Sequence, residues 1–162
     1  KKPCFSCGGP APKVDGPTHA YMLSSPGCWA IYGEVLAREY GRPAYAASHR
    51  LTVDAYAVQH PGEPIPAATR SVWLHLISLC AVLEHGVPQR RATRIIQRLA
   101  DRDPGFEWLE PPGELGDVTV ADVHEVDDPE SHLAAVQRWA RSAWEAWSPH
   151  HGDVEIRVES LL

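Results

Sequence analysis

The sequence predicts a mainly α fold: a bundle of about five helices with an N-terminal Cys-rich loop and a small two-stranded β ribbon. Three observations carry this. The run Ser71-Val-Trp-Leu-His-Leu-Ile-Ser-Leu-Cys-Ala-Val-Leu83 is apolar on nearly every side at helical spacing, the mark of a helix buried all round. Four further segments place apolar residues near a 3.6-residue period and are separated by Gly and Pro. A chain of 162 residues is also long enough to bury one core without covalent staples.

Taken in order, Cys4-Phe-Ser-Cys7-Gly-Gly-Pro and the Pro- and Gly-rich run to Pro17 read as a loop held by something other than regular structure. Ser25-Pro26-Gly27 precedes a first helix over 28–40, which Gly41 and Pro43 stop. A second helix over 44–59 ends before Pro61, since proline disfavours helix in the residue before it. The central helix spans 69–84 and stops at Gly86, and Pro88 starts a fourth helix that reaches Ala100. Residues 101–127 read as a long surface loop. Asp128 is the expected N-cap of a last helix reaching Trp147. Val154, Ile156 and Val158 alternate with charged residues as a half-buried strand would, with Val118-Thr-Val120 as its partner. The whole of 1–162 reads as a single domain, divided into a metal-binding loop (1–27), a helical core (28–100), a loop (101–127) and a C-terminal helix and tail (128–162).

Composition narrows the function. A net charge of −6 argues against general affinity for nucleic acid or an anionic membrane. The arginines at 90, 91, 94, 98 and 102 read as a solvated, salt-bridged face. No apolar run reaches the ~20 residues that span a bilayer, so the expectation is a cytoplasmic protein of unassigned oligomeric state. Four cysteines make a thin disulfide framework for such a chain, and metal ligation or free thiols fit better.

Cys4-x-x-Cys7-Gly-Gly has the shape of a zinc knuckle, in which two thiolates meet one ion and flexible residues turn backbone N–H groups toward the sulfurs. Cys28, at a helix N-terminus that favours a thiolate, is the natural third ligand, and His49 is preferred over His19 as the fourth. Thiolate-rich ligation selects zinc, with iron or copper as alternatives. His49, Tyr56 and His60 lie along one line of the second helix, so the two histidines are about 16 Å apart and cannot share an ion. On the central helix Ser71, His75 and Ser78 form one narrow polar strip, so His75 needs an internal partner, either a metal or a second buried polar group. His60, His75 and Tyr56 are the candidate catalytic residues, with His132, His150 and His151 ranked behind them.

Through His49-Arg-Leu-Thr-Val-Asp-Ala-Tyr-Ala-Val-Gln-His-Pro61, together with Cys4-x-x-Cys7-Gly and Trp139…Trp144…Trp147…His150-His151, the chain resembles a family of uncharacterised bacterial, mainly actinobacterial, proteins. That resemblance implies one bacterial domain and supplies no activity. Two functions follow from the residues. One is a metal-dependent enzyme that activates a water for a small-molecule substrate, with Tyr56 or His60 as proton-transfer partner. The other is a non-catalytic module for a protein partner, in which zinc only pins the N-terminal loop.

Overall fold

The computed structural model describes residues 1–102 and 104–162; Asp103, inside the segment read as loop, lies outside the described residues. A ribbon opens the chain, β1 (Lys2–Pro3) and β2 (Pro10–Ala11), paired antiparallel with Lys2 opposite Ala11. Seven α-helices follow among the described residues: α1 (Pro26–Gly41), α2 (His49–Gln59), α3 (Pro66–His85), α4 (Gln89–Ala100), α5 (Val120–His124), α6 (Pro129–Ala146) and α7 (His151–Glu159). The helix number therefore exceeds the five expected.

The central helix α3 packs against α2, α4, α6 and α7. Its 20 residues are apolar enough, by length and composition alone, to cross a membrane. It exceeds the apolar run recognised in the sequence because Pro66 starts it a full turn earlier. Yet 61% of the apolar window is buried inside the protein, which is the behaviour of a core helix. Trp139, Trp144 and Trp147, all from the last long helix and its end, are fully buried where α6 packs on α2 and α3. Trp147 Nε1 donates to the Val58 carbonyl at 3.0 Å, so the indole is buried with its one polar atom satisfied.

Three elements differ from the sequence reading for physical reasons. Residues 154–158 are helical in α7, not a strand. An alternating triplet also contains an i, i+4 pair, and α7 uses that pair: Val154 and Val158 are buried while Ile156 stays 68% exposed. The proposed partner Val118-Thr-Val120 instead begins α5, where Thr119 and Asp122 form a reciprocal capping box. The ribbon that does exist lies in the N-terminal loop, where Pro3 and Pro10 hide any strand signal. The expected second helix is also split. Pro43–Ser48 is a 3₁₀ segment from which the Tyr45 hydroxyl donates to the Asp127 carbonyl at 2.6 Å, and α2 starts only at His49.

The N-terminal loop seats on α1 through a close approach that only glycine permits. A Cβ on Gly27 would lie 2.0 Å from the Pro12 carbonyl oxygen, which is backbone and cannot swing away. Gly27→Ala is therefore expected to lose about 1–3 kcal/mol through overpacking, read from urea unfolding. A loss below a few tenths would show that the loop does not sit against α1 as described.

Candidate metal centre

Three backbone features gather four donors at one point. The knuckle is closed by Cys4 N–H donating to the Gly9 carbonyl at 2.8 Å and Gly8 N–H donating to the Cys4 carbonyl at 2.9 Å. Gly8 sits at φ 76°, a region that side chains avoid, which lets the chain reverse between the two cysteines and β2. Ser25 caps α1 by accepting from Cys28 N–H at 3.3 Å, which sets Cys28 in the first turn facing the knuckle. Pro61 stops α2, so His60 leaves the helix at φ −132°, ψ 63°.

The result is a buried Cys4–Cys7–Cys28–His60 cluster whose donor atoms all lie within 4.8 Å of one another. Cys7 Sγ is 3.9 Å from Cys28 Sγ, while His60 Nε2 is 3.8 Å from Cys4 Sγ and 3.5 Å from Cys28 Sγ. With Zn–S near 2.3 Å and Zn–N near 2.0–2.1 Å, a tetrahedron has edges of about 3.8 Å between sulfurs and about 3.5 Å between sulfur and nitrogen. Those three separations lie close to the edges of such a tetrahedron. It is not a disulfide framework, since all four cysteines of the chain are free and a disulfide needs sulfurs ~2.05 Å apart.

Groups around the donors orient them. His60 Nδ1–H donates to the Tyr56 carbonyl at 2.7 Å, which leaves the Nε2 lone pair aimed at the sulfurs. Its ring stacks on Tyr56, and Tyr56 on Tyr32, with centroids 3.8 and 3.7 Å apart. The Tyr56 hydroxyl is 3.6 Å from Cys28 Sγ, and Gly9 N–H donates to Cys7 Sγ at 3.4 Å. Without a cation, the facing thiols of Cys28 and Cys7 hold Cys4 well below the usual thiol range, while hydrogen bonds to Cys4 and Cys7 push Cys28 well above it. Three sulfurs so close cannot all ionise unless positive charge is placed among them. Burial, followed by the charge of Cys28, likewise pushes the Tyr56 hydroxyl up.

The structure brings Cys4, Cys7 and Cys28 together as expected and places His60, rather than His49, beside them. His49 faces the other way, with Nδ1 2.8 Å from Glu39 Oε1. The opposite oxygen of that buried carboxylate accepts from Thr52 Oγ1 at 2.6 Å and from His132 Nε2 at 2.7 Å. His75 is also remote from the cluster and finds a polar group, not a metal: Nδ1–H donates to Asp54 Oδ1 at 2.8 Å, while Ser78 donates to Oδ2 at 2.6 Å. His150 and His151 hydrogen-bond the backbone carbonyls of Glu110 and Trp144. His19 accepts from the backbone amides of Tyr21 and Met22 through Nδ1.

A family model matches residues 2–148. The chain belongs to the family of unknown function DUF5946. No curated protein and no solved structure matches it. In this DUF5946 chain the polar residues of 49–61 divide between three tasks. His49 and Asp54 build two buried ion-pair networks, Tyr56 and His60 reach the sulfurs, and Gln59 ties the long loop to the core. Gln59 Nε2 donates to the carbonyls of Leu115 and Val118 at 2.9 and 2.8 Å, while its Oε1 accepts from Trp139 Nε1 at 2.8 Å. Sequence reasoning missed Gln59 as an anchor. Its signal was its place beside His60 and Pro61, where a large amide at the end of a helix has to satisfy both its donor and its acceptor.

Proposed function

We propose that this is a single metal-binding helical domain in which Cys4, Cys7, Cys28 and His60 hold one zinc ion in a closed, structural site. The observation that supports it is the match between the three donor separations, 3.5–3.9 Å, and the edges of a zinc tetrahedron. The donor set also favours zinc over iron or copper, since a redox-inert borderline ion suits three thiolates and one imidazole without a preferred geometry of its own. Bound there, the ion ties the knuckle to the start of α1 and the end of α2, segments far apart in sequence.

A structural role is favoured over water activation because four protein donors fill a tetrahedron and leave no coordination position for a substrate. His60 as a ligand has neither ring nitrogen free for proton transfer, since Nδ1 is held by the Tyr56 carbonyl. The non-catalytic reading is therefore the better supported of the two at this centre.

Elemental analysis of the untagged protein tests the assignment. One zinc per chain is expected, lost in Cys4→Ser, Cys28→Ser and His60→Ala and retained in His49→Ala. Zinc that survives Cys28→Ser and His60→Ala, or disappears with His49→Ala, would overturn the ligand set.

A further inference from the structure

A second group of donors lies where α7 crosses the end of α3. Cys80, His85 and Glu155 place one sulfur, one imidazole nitrogen and a carboxylate within 4.8 Å of one another. Cys80 is fully buried on α3. His85 closes the same helix just before Gly86, which turns the chain at φ 66°. Glu155 comes from one turn into α7 and reaches both: Cys80 Sγ–H donates to Oε2 at 3.0 Å, and His85 Nε2–H donates to Oε1 at 2.5 Å. Two protons thus bridge three groups that are all ordinary ligands for a transition metal.

We propose that Cys80, His85 and Glu155 form a second metal site, a three-ligand site for a divalent cation of zinc or cobalt type, with its remaining coordination position open to solvent. The ion replaces the bridging protons. The Cys80 thiol proton leaves to solvent as the metal–sulfur bond forms, the His85 ring proton moves from Nε2 to Nδ1 so that the Nε2 lone pair meets the ion, and Glu155 binds as the carboxylate.

Two features favour a cation here. The donors are graded in exposure. Cys80 forms the floor, while the His85 and Glu155 side chains are 27% and 35% exposed at the rim. That rim opens on a cleft of about 500 Å³ lined also by Glu84, Trp144, His151 and Gly152. Trp144 and His151 stack at 3.7 Å, with the indole N–H donating to Glu84 Oε1 and His151 Nε2 bonded to the Trp144 carbonyl, so this stacked pair forms a wall of the cleft. Three protein ligands beside a cleft is the arrangement of an open site, where a water, a thiolate or a carboxylate of an incoming molecule can bind the ion. This differs in kind from the sealed four-ligand cluster and shares no residue with it.

Cobalt titration of protein already carrying one zinc per chain tests the proposal. A second equivalent is expected, with a thiolate-to-cobalt charge-transfer band that shifts on adding azide, because the open position accepts an external ligand. His85→Ala and Glu155→Gln change only rim side chains and should weaken this second equivalent about 100-fold or more, with the first zinc untouched. Cys80→Ser should remove the charge-transfer band. The absence of a second equivalent at a tenfold molar excess of cobalt would overturn the site. So would a second equivalent that keeps its affinity in both rim variants, or one that does not respond to azide.

Discussion

Stripping the proposed zinc from the Cys4–Cys7–Cys28–His60 centre is expected to lower the thermal midpoint by about 8–16 °C. An ion present at about a thousand times its dissociation constant adds about 4 kcal/mol to the folded state, and a protein of this size loses roughly 2–4 °C of midpoint per kcal/mol. Apart from the seat of Pro12 on Gly27 of α1, few contacts hold the N-terminal segment. Its ribbon has two residues per strand, too short to be stable alone. Ser6 adds one hydrogen bond, to the Gln59 carbonyl at 2.8 Å. The increment should shrink as pH falls, because protons compete with the ion for the thiolates. Calorimetry of the full chain with a chelator, then after zinc is restored, measures it. A midpoint that does not move would contradict a structural centre even if zinc binds.

The knuckle was legible because cysteine chemistry is local: two thiols two residues apart, followed by glycines, need no tertiary information. Cys28 followed from its place at a helix start. The fourth donor of the cluster did not follow, because His49 and His60 lie on one line of an ideal helix and only the break before Pro61 tells them apart. The ribbon pattern at 154–158 misled for a related reason, since alternation over five residues satisfies strand and helix alike until the neighbours are known. His75 reads from the sequence as a polar group in need of an internal partner, and the structure pairs it with Asp54 at 2.8 Å while leaving its side chain 16% exposed. Asp54 was unassigned as that partner because it lies on a different helix, and the angle at which α2 crosses α3 is not written in either segment.

That pairing carries the second large expected effect, a loss of about 3–5 kcal/mol in Asp54→Ala, the cost of breaking a buried charge network by removing one member. The Asp54 side chain is wholly buried and accepts from Arg50, His75 and Ser78 at 2.6–3.0 Å. Without it the fully buried Ser78 hydroxyl loses its acceptor, and the Arg50 guanidinium, 13% exposed, has only its rim in water. Asp54→Asn should cost less, about 2–3 kcal/mol, since the amide keeps the volume and one acceptor while losing the charge that balances Arg50. Urea unfolding of both variants measures the difference. In each the zinc content should stay at one per chain, because neither substitution touches a sulfur or His60. A joint loss of stability and zinc would mean that the α2–α3 network and the metal centre are one unit. A cost under about 1 kcal/mol in Asp54→Ala, far below that of a broken buried pair, would mean that water reaches the network and the buried pairing is not what joins the two helices.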